Sequence, residues 1–194
     1  MFVSARFLSR IIFLLPVFCL VDAVAAPAVH VGASSYSIKG KSALVLSAEI
    51  RKKGPVGEDG RRHPAKTKWD LQWKINYAEM EKQCSVESIG IIIGITHIRP
   101  IWRDLEAGSQ SLVERWKLFQ VALEKVEKFH TDLAVSAGHE IELAALSLEP
   151  QSTCEELEPL IENLVQDTKI KYQLQKTDYE TQTDFGRKVG LSLM

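Results

Sequence analysis

Apolar and polar residues alternate in the first half of the chain, and this pattern predicts β-strands. In KWDLQWKINY (68–77) every second residue is apolar, which is typical of a half-buried strand. The stretch VESIGIIIGITHI (86–98) is β-branched and nearly all apolar, which predicts a strand buried in the middle of a sheet. AEMEKQC (78–84) is long enough to be an irregular hairpin connection. We therefore expect two or three antiparallel strands in a short sheet.

A helical period dominates the second half of the chain. Residues 109–148 contain no proline, and their apolar side chains recur every three or four positions, which predicts one long helix. Gly138 is where we expect any interruption of that helix. A second helix is predicted from about Cys154 to Lys176, followed by an irregular tail.

The segment before the strands contains one further helix. HVGASSYSIKG (30–40) is a short extended lead, and Ser42 can cap a helix that Gly54 and Pro55 end after about Lys53. Strands followed by helices indicate an α+β fold. We expect a short antiparallel sheet packed with a long helix and a C-terminal helix.

The N-terminus has the features of a secretory signal peptide. Arg6 and Arg10 precede the apolar run 11–20, and the small residues Ala23 and Ala25 follow it, which predicts cleavage after Ala25. The apolar run is shorter than the roughly 20 residues of a permanent membrane helix, so we expect no stable membrane anchor. Residues 26–194 then form a single periplasmic or secreted domain.

Charge and cysteine content narrow the classes of function. The 24 Lys and Arg nearly balance the 25 Asp and Glu, so nothing favours nucleic acid as a partner. After cleavage, Cys84 and Cys154 are the only cysteines, and an oxidising compartment favours a disulfide between them over two free thiols.

VEKFH (126–130) is one residue short of the zinc-protease motif H-E-x-x-H. Residues four apart share a helical face, so His130 and Glu127 stand where that motif has a zinc ligand and its general base. Val126 cannot coordinate a metal. The fragment alone also fits a surface glutamate beside a packed histidine.

Other histidines offer an atypical ligand set. GHEIEL (138–143) is a second near miss, in which Leu143 replaces a histidine. His139 is nine residues beyond His130 and lies on the opposite side of a straight helix. A working metallopeptidase could use an atypical set such as His130 with His139 or His97, together with a carboxylate.

Residues 36–190 resemble a bacterial family of uncharacterised domains described as predicted secreted Zn-dependent proteases. Each shared motif is weak, and it is their order along the chain that carries the resemblance. The motifs are YSIKG (36–40), KKGP (52–55), the strand start Thr67-x-Trp69, PIW (100–102), Trp116-x-x-Phe119, E-x-x-H, a cysteine before the last helix and YETQTDFG (179–186).

The resemblance implies a zincin-like arrangement with two ligand positions changed. It carries a zinc role onto His130 and a general-base role onto Glu127. It also implies ligands in H-E-x-x-H and T-x-H-G motifs, where this chain has Val126 and Phe185. With these apolar replacements both roles become vestigial, no cofactor is expected, and zinc is expected only if the protein is active.

We therefore expect a pseudoenzyme. The fold of a zinc-dependent protease would persist without catalytic zinc, and the protein would bind an unidentified protein or peptide partner or associate with the cell envelope. The alternative is an active secreted zinc metallopeptidase with an atypical ligand set.

Overall fold

The computed structural model describes residues 26–194, and it is an α+β fold, as predicted. The predicted signal peptide, residues 1–25, lies outside the described residues. The described residues form three strands, three helices and short 3₁₀ turns at Leu105–Ala107 and Arg187–Val189. The elements are β1 (Ala28–Ile38), α1 (Ala43–Lys53), β2 (Lys66–Met80), β3 (Gln83–Trp102), α2 (Gln110–Leu146) and α3 (Cys154–Thr183).

The long hairpin of β2 and β3 forms most of the sheet. The two strands pair antiparallel from Lys66 against Ile98 to Met80 against Gln83, with one irregularity between Asn76 and Tyr77. The prediction of an irregular connection over 78–84 was wrong, because the strands continue until only residues 81 and 82 remain for the turn.

The prediction of an antiparallel sheet was wrong for β1. The strand order is β1-β3-β2, and β1 pairs with β3 in parallel. The chain crosses from β1 through α1 to β2 and then turns back in the hairpin. β3 therefore runs in the same direction as β1 and lies between the other two strands. The extended lead is a full strand of 11 residues.

Helix α2 packs on the apolar face of the sheet as one continuous helix of 37 residues. Gly138 does not interrupt it. A Cβ atom at this position would lie 2.7 Å from Cδ1 of Ile93, so the glycine lets the helix approach the sheet closely. This apolar face continues along β3 as Ile89, Ile91, Ile93 and Ile95.

Helix ends and one disulfide fix the remaining elements. Ser42 caps α1, as predicted, and its Oγ accepts a hydrogen bond of 3.3 Å from the Val45 amide. Helix α3 extends seven residues past the predicted end near Lys176, to Thr183. The predicted disulfide is present between Cys84, at the start of β3, and Cys154, the first residue of α3.

No helix within residues 26–194 combines the length and the apolar character that crossing a bilayer requires.

Candidate functional site

A small cavity lies between α2, α3, the loop that leads from α1 into β2, and the turn after α3. Its volume is about 120 Å³, which leaves room for a few water molecules rather than for a drug-sized ligand. Val126, Glu127 and His130 line it from α2, and Phe185 lines it from the turn after α3. The structure therefore brings together all four residues that the sequence singled out at the E-x-x-H and T-x-H-G positions.

Glu127 is bound by an arginine inside this site. Its side chain is buried, and Oε2 accepts a hydrogen bond from Nη2 of Arg99 near the end of β3. Burial raises the pKa of Glu127, and the positive charge of Arg99 partly opposes that rise. Its second oxygen, Oε1, has no hydrogen-bond partner within the described part of the chain. The ion pair with Arg99 holds the carboxylate in place through Oε2.

His130 is buried among aromatic rings. The ring of Tyr179 stands nearly perpendicular to the imidazole, with the centroids 5.8 Å apart. Burial, and then the nearby charge of Lys176, lower the pKa of His130 to about 4. The imidazole is therefore neutral at pH 7, and its Nε2, 3.9 Å from Oε1 of Glu180, makes no ion pair there.

Phe185 occupies an unusual backbone conformation. Asp184, Phe185 and Gly186 all have positive φ angles, and that of Phe185 is 52°. The hydroxyl of Thr183 accepts a hydrogen bond of 3.1 Å from the Gly186 amide and so closes the turn. Phenylalanine is disfavoured in this left-handed region, where histidine, asparagine and aspartate are enriched. The ring of Phe185 stacks on His63 at 4.1 Å, and His63 is held by Asp59 at 2.8 Å.

A buried lysine completes the wall of the cavity. Lys176 is 8 % exposed and lies between two carboxylates, 3.1 Å from Oε1 of Glu180 and 3.3 Å from Oε1 of Glu58. Glu180 is one turn further along α3, whereas Glu58 comes from the loop between α1 and β2. The ion pairs among these three side chains link α3 to the loop between α1 and β2 beside the cavity.

The side chains present do not fit a zinc centre. A catalytic zinc takes three protein ligands, and positions 126 and 185 carry no donor atom. His130 supplies one imidazole, and Glu180, the carboxylate facing it, is bonded to Lys176. Within residues 26–194 no three His, Cys, Asp or Glu side chains are grouped so as to hold a metal ion.

The other histidines named by the sequence lie in different surroundings. His97 uses both ring nitrogens, with Nδ1 2.9 Å from Oγ1 of Thr67 and Nε2 3.4 Å from Oγ1 of Thr131. His139 is half exposed and lies 3.6 Å from Oε2 of Glu142. Neither side chain lines the cavity with His130.

Two site residues went unnoticed in the sequence, although each carries a signal. Arg99 is the first charged residue after the apolar stretch of β3 and belongs to the same strand. Lys176 continues the helical spacing of the residues that α3 buries. The buried residues up to this point are Leu157, Ile161, Val165, Thr168, Tyr172 and Lys176, and Thr183 follows.

A larger groove adjoins the cavity between β2 and α3. Its volume is about 610 Å³, within the range of ligand sites. Lys68 and Lys169 contribute positive charge, and Ile170 and Leu174 are exposed along α3. Glu58 and Lys176 line both the groove and the cavity, so the two spaces are neighbours.

Residues 33–186 match the model of a family described as bacterial protein of unknown function (DUF922). The chain belongs to this family. The matched range contains the whole sheet apart from the first residues of β1, all three helices and every residue of the E-x-x-H and T-x-F-G segments. No curated protein and no solved structure matches the chain.

Proposed function

We propose that the chain is an exported, non-hydrolytic binding protein with the fold of a zinc-dependent protease. The observation that carries the proposal is the state of the E-x-x-H site. Val126 and Phe185 supply no metal ligand, and Glu127, at the general-base position of the motif, is ion-paired with Arg99. Without these ligands the site would lack the metal that activates water in zinc-dependent proteases.

The groove between β2 and α3 is the proposed binding surface for a protein or peptide partner. It combines lysine charge with exposed Ile170 and Leu174. An extended acidic segment with apolar side chains complements both features. Its affinity should fall with added salt, because the lysines are at the surface.

Hydrolysis is tested on the oxidised protein after dialysis against trace zinc. We expect no stoichiometric zinc by elemental analysis and no cleavage of an unstructured polypeptide. Cleavage that disappears both with a chelator and with Glu127→Gln would overturn the proposal and establish a metallopeptidase with an atypical ligand set. Zinc that is lost with His130→Ala would point the same way.

Binding is tested with two unstructured fluorescent peptides of equal length, one acidic and one basic, both containing leucine. We expect the acidic peptide to bind and Lys68→Glu to weaken that binding. Lys74→Glu is the matched control, because Lys74 is exposed on the same strand but does not line the groove. Equal binding of both peptides, or equal loss in both variants, would contradict the assigned surface.

A further inference from the structure

Strand β1 is an edge strand, and its outer side is unpaired within residues 26–194. It forms one edge of the sheet, and within residues 26–194 β3 is the strand that it pairs with. Its first eight residues, 28–35, are all exposed. Parallel strands are normally covered on both faces, so an uncovered parallel strand at an edge is unusual.

The composition of β1 also lacks the protection that edge strands normally carry. Natural edges are guarded against further pairing by lysine, proline or other charged residues. The sequence AVHVGASSYSI contains no Lys, Arg, Asp, Glu or Pro. The opposite edge of the same sheet differs, because β2 carries Lys66, Lys68, Asp70 and Lys74.

Apolar side chains stand exposed on one face of β1. Val29 and Val31 are two residues apart, share a face, and are 38 % and 58 % exposed. They lie opposite Ile93 and Ile95 of β3, which belong to the buried face of the sheet. The apolar layer of the sheet therefore continues onto β1, where no part of residues 26–194 covers it.

We propose that β1 is the interface between two copies of this chain. A two-fold axis across the strand would pair β1 antiparallel with β1 of the second copy and join two three-stranded sheets into one of six strands. Antiparallel pairing about this axis places Val29 and Val31 of one copy next to the same residues of the other. Because β1 contains no Lys, Arg, Asp or Glu, two identical β1 strands can pair without like-charge repulsion.

The proposal is tested by the mass of the protein in solution. The protein is expressed from the full 194-residue sequence and purified with its disulfide oxidised, and its mass is measured by light scattering over a wide range of concentration. We expect a shift from one chain to two as concentration rises. Val31→Lys should abolish the shift, because it places two lysines at the pairing edge. Val45→Lys, at an exposed valine of α1, should leave it unchanged.

Amide hydrogen exchange supplies a second readout that does not depend on a variant. We expect exchange within residues 28–35 to slow as concentration rises, while exchange in β2 stays constant. A protein that remains a single chain at every concentration would overturn the proposal. So would dimerisation of Val31→Lys equal to that of the unmodified protein, or concentration-dependent protection confined to another element.

Discussion

Arg99 of β3 donates a hydrogen bond to Glu127 of α2 and so joins the sheet to the helix inside the candidate site. Replacing Arg99 with methionine would leave a buried carboxylate without its countercharge. Because the side chain of Arg99 is one third exposed, we expect a loss of about 2 kcal/mol in the free energy of unfolding, below the usual cost for a fully buried pair. Urea denaturation at pH 7 measures it.

A double-mutant cycle separates this pairing from other effects of the substitution. In a Glu127→Gln background, Arg99→Met should cost little, because no charge is left uncompensated. Losses of equal size in the two backgrounds would mean that Arg99 stabilises the fold without acting through Glu127.

Val126 and Phe185 can be tested as sites of lost ligands by restoring histidine. The double variant Val126→His, Phe185→His should retain about one zinc per chain after dialysis, because three imidazoles would then face one cavity. The backbone of Phe185 already has a conformation in which histidine is well tolerated. Elemental analysis measures the zinc.

The triple variant with His130→Ala is the matched control and should lose this zinc. If circular dichroism shows that the double variant is folded but elemental analysis finds no zinc, the two positions do not converge with His130.

His130 should make the stability of the protein depend on pH. Its pKa is about 4 in the folded protein against 6.5 in the unfolded chain, so between these values only the unfolded chain binds the proton. The effect of His130 on the free energy of unfolding is therefore most favourable at pH 7. As the pH falls toward 4, the free energy of unfolding decreases by up to about 3 kcal/mol. Urea midpoints across this range measure it.

His130→Gln should flatten this pH dependence relative to the unmodified protein. Parallel pH profiles for the unmodified protein and His130→Gln would show that His130 titrates normally.

The disulfide should be a major source of stability. It joins residues separated by 70 positions, and closing a loop of that size in the unfolded chain is worth about 4 kcal/mol. Reduction, or the Cys84→Ala, Cys154→Ala double variant, should lower the free energy of unfolding by this amount. Denaturation with and without reductant measures it. If the two curves coincide for the unmodified protein, the bond does not form.

The elements of the fold are largely readable from the sequence, whereas their pairing is not. The apolar alternation of β2 and the cap at Ser42 are local signals, and the structure bears them out. The parallel pairing of β1 depends on which strand enters the middle of the sheet. That choice is made by contacts between β1 and β3, more than 60 residues apart, and no period in AVHVGASSYSI reports it.

Only part of the candidate site could be predicted from the sequence, for a similar reason. Glu127 and His130 fall within one helical motif, so their proximity follows from the spacing of a helix. Arg99 and Lys176 come from other elements, and only the packing of those elements against α2 brings them to Glu127 and His130. The motif shows that Glu127 and His130 share a helical face, but it could not show that Arg99 pairs with Glu127.

The position of the disulfide also determines how the chain would respond to a protease. The bond closes a covalent ring over residues 84–154 that contains almost all of β3 and the whole of α2. The segment between α2 and α3 is part of this ring, and backbone hydrogen bonds between Cys84 and Gln151 hold it against the start of β3. A single cut in that segment would leave one disulfide-linked molecule under oxidising conditions, heavier only by the water added in hydrolysis. Two fragments would separate only after reduction, so the nicked protein would pass unnoticed on a non-reducing gel.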